Sequence, residues 1–401
     1  MYLTSTVRAL PVHFFRSRHC IRTMSNIVEK KQSEFSRAEP FRVAVIGSGN
    51  WGTTVAKIIA ENTNERPEEF VRDVNMWVYE EDIEGRKLTD IINEEHENVK
   101  YLPGVKLPKN LHATPDLLAV ASPADILVFN VPHQFLSRIL QQLKGKIKPT
   151  ARAISCLKGL NVEKNSCQLL STQIENELNI HCGVLSGANL APEIARECWS
   201  ETTIAYVKPK DYRGKYDDVT PFTIKHLFHR PAYFHVQVIE DIAGASLGGA
   251  LKNVIALAVG FVDGLNWGDN AKGAIIRLGL REMIHFGHTY FPGAKSYTLT
   301  CESAGAADLI TSCAGGRNFK VGREIAATGK PAEQVEAELL NGQSAQGIIT
   351  AAEVYEFLSS KGDLNSYPLL ITVYLILKGE RSAECIPEYF NKTEDVKHWE
   401  D

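Results

Sequence analysis

The residues able to do chemistry in this chain cluster in three segments. The first is Asp241-Ile-Ala-Gly-Ala-Ser-Leu-Gly-Gly-Ala-Leu-Lys-Asn-Val-Ile-Ala-Leu-Ala-Val-Gly-Phe-Val-Asp263, a nearly apolar run with Lys252 and Asn253 at its centre. An ammonium in such surroundings is costly, and burial pushes its pKa down toward neutrality. Enzymes use that depression to make a lysine a general acid. The second is Gly47-Ser48-Gly49-Asn50-Trp51-Gly52, spaced as a loop that carries a dinucleotide pyrophosphate. Together they imply hydride transfer with a lysine as proton donor.

Two other readings of the first segment have to be weighed. A membrane helix needs about 20 apolar residues. Against it stand Lys252 and Asn253 at the midpoint and the glycines at 244, 248, 249 and 260, since a central charge is expensive in a bilayer. A lysine snorkelling out of a core helix is the second alternative. Small neighbours that let a ligand approach favour a catalytic helix.

The third segment runs from Ser303 to Asn318. Asp308 is a carboxylate among small apolar residues and needs a partner, for which Lys252 is the obvious candidate. Gly315-Gly316 followed by Arg317-Asn318 reads as an oxyanion-binding turn: flexible amides beside a guanidinium suited to phosphate. A plain glycine-rich turn with a surface arginine is the alternative.

The elements that must position these groups follow from the pattern. Phe41–Ile46 is a short β run, and apolar residues Val55, Ile58 and Ile59 after the glycine loop have helical spacing. Strand, glycine loop and helix in that order make the motif specific for dinucleotides. Gly47 makes the turn, Gly49 admits the pyrophosphate, Gly52 lets the helix pack closely, and the phosphates sit on the helix N-terminus. Val74–Tyr79 is the second strand, reached after a polar insertion from Asn62 to Asp73. It ends in Glu80-Glu81, where a carboxylate accepts ribose hydroxyls and repels a 2′-phosphate, favouring NAD with Glu80 as acceptor. An acidic turn opening a helix from Asp82 to Glu97 is the other reading. Further strands are expected at Asp125–Val131, Arg152–Leu157, Gly183–Ser186, Thr202–Val207 and Tyr233–Val238, with helices after Pro132 and Ala191. Such alternation means a doubly wound sheet, with ligands beyond its carboxyl ends near Phe135, Lys158 and Ala191.

Beyond about Gln237 helical periodicity takes over to Lys378. The fold class is therefore an α/β N-terminal Rossmann-type doubly wound domain followed by a mostly α-helical C-terminal domain. The expected limits are a leader at 1–40, the nucleotide domain at 41–236, the helical domain at 237–385 and a charged tail at 386–401. The cleft between the domains is the expected site.

With 401 residues the chain is long enough for two cores. A net charge of −4 gives no surface for nucleic acid. The eight cysteines form no C-x-x-C pair and mostly lie in apolar runs, so they read as reduced, buried thiols with no metal. His285 and His288 are spaced as a metal pair but lack a third ligand. Up to Ile27 the leader holds Arg8, Arg16, Arg18 and Arg22 and no acidic residue, a mitochondrial presequence composition. Pro11 breaks an amphipathic helix there, and Met24 offers an internal start.

Read together, the motifs resemble the NAD-dependent glycerol-3-phosphate dehydrogenases in their eukaryotic, fungal-type form. The resemblance rests on GSGNWG at Gly47, MWVYEE at Met76, VKYLPG at Val99, VPHQF at Val131 and CLKG at Cys156. It continues through SGANLAPE at Ser186, GGALKN at Gly248, ADLITSC at Ala307, GGRN at Gly315 and NGQSAQG at Asn341. Two positions depart: Ser344 stands where animal members carry a lysine near the cofactor, and Ser312 replaces the usual threonine near the substrate.

What the resemblance implies agrees with the chemistry above. Dihydroxyacetone phosphate would lie in the interdomain cleft, its phosphate on Arg317 and the Asn318 region. Lys158 and Lys252 would converge on the reacting oxygens, with Lys252 as the acid and base. Asn253, Asp308 and Ser312 would orient lysine and substrate. Besides the glycine loop, NAD contacts would come from Tyr79, Glu80, Phe135, Lys158, Ala191, Arg317 and Gln346, the last on a glycine-flanked loop able to close as a lid. A cytoplasmic homodimer without a membrane span is the implied form, with a mitochondrial destination as the leader's alternative. Two rivals are another two-domain reductase of a small keto substrate and a noncatalytic NAD sensor. GGRN beside ADLITSC favours a phosphate-bearing substrate over the first, and the pair Lys158 and Lys252 is superfluous in the second.

Overall fold

Eight strands form one sheet in the computed structural model, which describes residues 39–389 apart from 164, 215–216 and 341–343. They are β1 (Val43–Ile46), β2 (Val74–Trp77), β3 (Leu111–Thr114), β4 (Ile126–Phe129), β5 (Arg152–Ser155), β6 (His181–Ser186), β7 (Ser200–Ala205) and β8 (Phe234–Ile239). Their spatial order is β8-β7-β6-β5-β4-β1-β2-β3. From β3 to β6 all neighbours are parallel, whereas β7 is antiparallel to β6 and parallel to β8. β1, β4 and β5 are buried at every position, as parallel strands covered on both faces must be. The strand order reverses on either side of β1, the switch point where such sheets bind ligands.

The glycine loop sits at that point. Gly47 has φ 111°, and a Cβ there would lie 2.8 Å from the Asn130 carbonyl oxygen. A Cβ on Gly52 would lie 2.3 Å from the Gly47 oxygen, so the first turn of helix α1 (Asn50–Glu65) can press onto the loop only without a side chain.

Several expectations change in detail. The polar insertion after the helix is largely structured: α1 runs to Glu65, buried Asn62 donates to the Leu227 carbonyl, and Phe70 is fully buried. The segment expected as one helix from Asp82 first makes a hairpin of Asp82–Ile83 with Arg86–Lys87, and only then α2 (Leu88–Glu95). Glu84 at φ 53° and Gly85 at φ 84° make that reversal, the left-handed pair that tight hairpins require. β3 and the short helix Leu117–Ala121 have no counterpart in the sequence reading. The sheet also runs on to Ile239, past the boundary expected at 236.

The helical half is organised around α3 (Ile242–Gly264). Against it pack α4 (Gly268–Tyr290), α5 (Asp308–Cys313), α6 (Arg317–Thr328), α7 (Gln346–Lys361) and α8 (Pro368–Leu377). α3 is long and apolar enough to cross a bilayer, but 94% of its apolar window is buried inside the protein. A helix apolar all round suits the centre of a bundle. The leader up to residue 38 and the tail from 390 lie outside the described residues.

The cysteines divide. Cys156, Cys182 and Cys313 are buried, Cys167 and Cys385 are half-buried, and Cys198 and Cys301 are exposed, which corrects the expectation of mostly buried thiols. His285 bonds to Thr289 and His288 to Ser296; among the described residues no group of side chains could hold a metal.

Candidate active site

Lys252 lies mid-helix in α3, only 6% exposed. Its Nζ donates to Asp308 Oδ1, and to Ser312 Oγ at 2.7 Å. Both partners come from α5, one turn apart at i and i+4. The other oxygen of Asp308 accepts from Lys158 Nζ at 2.8 Å, and Lys158 also donates to the Gly187 carbonyl at 3.2 Å. Sequence reasoning paired Asp308 with Lys252; the structure has it bridging both lysines. The cluster thus holds two ammoniums against one carboxylate.

That arrangement depends on an unusual backbone. Ser303–Ala307 is a π-helical turn immediately before Asp308, a distortion often found at functional sites. It presses on α3 one turn before Lys252: a Cβ on Gly248 would lie 2.1 Å from the Ala304 oxygen. Lys158 enters from the carboxyl end of β5 and runs over Gly249, whose missing side chain leaves room for it.

Burial dominates the electrostatics of Lys252. Desolvation lowers its pKa to about 7, Asp308 opposes the shift, and Lys158 adds to it. Lys158 keeps about a quarter of its side chain exposed, so it faces the solvent side of the cluster. Arg317 opens α6, and desolvation by the surrounding protein lowers its guanidinium pKa although part of the side chain remains exposed.

Asn253 and Asn318 are bonded to each other. Asn318 is buried; its Nδ2 donates to Asn253 Oδ1 at 2.9 Å, and its Oδ1 accepts from the Gly347 amide at 2.8 Å. Asn253 in turn donates to the Gly249 carbonyl at 3.3 Å. Asn318 therefore ties α6 and α7 to α3. The same link fixes the residue beside Lys252 and the one after Arg317.

At the nucleotide loop the N-cap of α1 is Gly49, which puts no side chain on the first-turn amides and has no atom within 4 Å of a Cβ position. Ser48 is buried, and its carbonyl accepts from Thr53 Oγ1 and Asn98 Nδ2, both at 2.9 Å. Asn98, fully buried, is a loop support that the sequence reading missed. Asn50 is exposed, whereas Trp51 turns inward against Phe234 with ring centroids 6.3 Å apart, leaving only its backbone for a phosphate. Tyr79 and Phe135 are exposed aromatics beyond the ends of β2 and β4. Ala191 is buried, and its carbonyl accepts from Thr54 Oγ1.

Glu80 is bonded within the protein. Its carboxylate accepts from the Thr89 amide at 3.2 Å and hydroxyl at 2.6 Å, capping the start of α2. Glu81 is held by Lys100 and by the Tyr101 hydroxyl. Gln346 is the first residue of α7 rather than part of a loop, and Ser344 precedes it; Asn341–Gln343 of the expected lid lie outside the described residues.

Comparison with known proteins assigns this architecture. Residues 42–211 match the family model described as the NAD-dependent glycerol-3-phosphate dehydrogenase N-terminus, and 241–388 match the corresponding C-terminus. A glycerol-3-phosphate dehydrogenase [NAD(+)] of Pichia angusta is 57% identical over 371 residues, covering 92% of this chain and 97% of its own length. One from Candida tropicalis is 60% identical over 360 residues, covering 90% and 92% respectively. A solved glycerol-3-phosphate dehydrogenase structure from Saccharomyces cerevisiae superposes with a TM-score of 0.83 at 57% identity, covering 87% of this chain and 99% of that one.

Proposed function

Since the chain belongs to the NAD-dependent glycerol-3-phosphate dehydrogenase family, we propose how its own residues carry the reversible reduction of dihydroxyacetone phosphate to sn-glycerol 3-phosphate. NAD is the cofactor, and the loop fits it: Gly49 leaves the amide end of α1 without a capping side chain, and Asn130 Oδ1 is buried without a partner at the base of the loop. Asn50, Trp51 and Gly52 would offer backbone amides to its pyrophosphate, with Tyr79, Phe135 and Ala191 lining its length. When bound, NADH supplies the hydride for the ketone carbon.

Lys252 then donates its proton to the oxygen on which negative charge develops. Before transfer the cluster carries one excess positive charge; after it, a neutral Lys252 stands beside a balanced Lys158–Asp308 pair. Proton loss therefore relieves the repulsion between the two lysines at the moment the substrate oxygen needs a proton. Ser312 Oγ accepts from Lys252 and fixes its direction, and Lys158 polarises the reacting substrate oxygen from the solvent side. The Arg317 guanidinium holds the phosphate. The reverse reaction uses neutral Lys252 as base.

The observation that carries this reading is the single carboxylate of Asp308 shared by a buried and a half-buried lysine. NADH oxidation followed by absorbance with dihydroxyacetone phosphate tests it. Arg317→Ala should remove about 2–4 kcal/mol of transition-state stabilisation with that substrate. Turnover of unphosphorylated dihydroxyacetone should hardly change, and equal losses on both would make Arg317 structural. The reading also carries a cytoplasmic homodimer, to be tested by sedimentation and by localising the full chain.

A further inference from the structure

His133 stands outside the cluster, and the reaction as derived gives it no part. It follows Pro132 in a 3-10 turn (His133–Phe135) beyond the carboxyl end of β4, on the nucleotide-binding rim of the sheet. Its side chain is 14% exposed and faces α7 of the helical half. There it touches two residues seven positions apart, hence on one face of that helix. The Gln346 side-chain amide donates to His133 Nδ1 at 3.2 Å, and His133 Nε2 lies 3.6 Å from Glu353 Oε1.

As placed, the three groups form one chain of donors and acceptors. A carboxamide nitrogen can only donate, so His133 Nδ1 must be the acceptor and the ring proton must sit on Nε2. That proton faces Glu353, whose other oxygen is buried without a hydrogen-bond partner. A carboxylate so placed favours the Nε2–H tautomer, in the manner of a carboxylate orienting a histidine for a third group. With its nitrogen committed to His133, the Gln346 carboxamide has its oxygen turned away from the ring and available as an acceptor.

We propose that Glu353 and His133 are positioning residues which fix the orientation of the Gln346 carboxamide, so that its oxygen accepts from the bound dinucleotide. The inference rests on the reading that Gln346 contacts the cofactor. It also supplies a link between the two halves: a contact on the nucleotide rim is set by a histidine from the sheet and a carboxylate from the helices.

The test measures NADH affinity by fluorescence titration, with kcat and KM for both substrates, in the full chain and five variants. Loss of one neutral hydrogen bond predicts that Gln346→Ala and His133→Ala each weaken NADH about 3- to 10-fold. Both should leave KM for dihydroxyacetone phosphate at saturating NADH unaltered. The double variant should be no weaker than either single one, because the residues act in series. His133→Asn keeps an acceptor near Nδ1 and should recover most of the affinity; it also serves if the alanine variant unfolds. Glu353→Gln should weaken NADH by less than His133→Ala. Wild-type NADH affinity in His133→Ala and His133→Asn, with Gln346→Ala impaired, would overturn the positioning role. Additive losses in the double variant would overturn it as well. Unchanged affinity in Gln346→Ala would instead remove the cofactor contact on which the inference stands.

Discussion

Strand β5 carries a charge cluster with a buried centre at each end. At its start, Arg152 is 1% exposed and grips Asp218 through Nε at 2.8 Å and Nη2 at 2.7 Å, while Nη1 reaches Asp211 at 3.1 Å. Arg213 completes the group by donating to Asp218 as well, so two arginines face two aspartates. Just beyond the strand's other end, Lys158 joins Lys252 on Asp308, and two cations share one anion. The pKa directions show whether the partners outweigh burial. The bonds to Asp218 raise the Arg152 pKa above its ordinary value, and Asp218 is held low against the opposing push of burial. Lys252 is lowered by burial, which the shared carboxylate does not offset. A buried cluster that balances its charge fixes protonation and shape; one left a charge short can release a proton and attract an anion. The balanced cluster lies at the amino ends of the strands and the unbalanced one at the carboxyl ends, where open sheets of this kind bind ligands.

Mutations at the two ends should therefore fail in opposite ways. Lys252→Met is expected to lower kcat by about 10²- to 10⁴-fold. Asp308 keeps Lys158 as its partner, so the thermal midpoint should stay within about 4 °C of wild type. Wild-type turnover in a folded variant would dissolve the contrast.

Arg152→Met should do the reverse. It leaves Asp218 buried with its principal partner gone, at a cost of about 3–5 kcal/mol in denaturant unfolding. The fraction that remains folded should turn over at the wild-type rate. A stable but slow variant would mean that the structural cluster communicates with the reaction.

The third variant, Asp308→Asn, sharpens the electrostatic point with the smallest change. Without the shared carboxylate, Lys252 keeps the desolvation and the repulsion of Lys158 that lower its pKa and loses the attraction that opposes them. The pH at which reductive activity falls should move down by about one unit or more. An upward move would show that Asp308 is not the counter-charge.

How much of this was legible in the sequence depends on where each side chain finds its partner. Lys252 could be read because a lone charge in an apolar helix must be answered for, and Asp308 because small apolar neighbours offer it nothing else. The glycine loop could be read because its backbone requirements are local. The bonds of Asn318 to Asn253, 65 residues away, and to Gly347, 29 away, were not legible, because no local pattern announces them. The bond from Thr89 to Glu80 was hidden too, since it is reached only through a hairpin that periodicity does not reveal. His133 lay within a recognised motif but had no visible purpose until α7 was placed against it. The two-lysine bridge depends on a pairing between distant segments, since Lys158 and Asp308 are 150 residues apart.

The central claim is that buried Lys252 is the proton donor, and the pH dependence of kcat/KM for dihydroxyacetone phosphate reduction tests it most directly. An acid must be protonated to act, so its folded-state pKa of about 7 predicts activity that is full below that value and falls as pH rises through it. In the oxidative direction the limb should invert, since neutral Lys252 is then required. The residual activity of Lys252→Met should lack this limb. A wild-type reductive profile that stays flat well above pH 7, or the same limb surviving in Lys252→Met, would contradict the account.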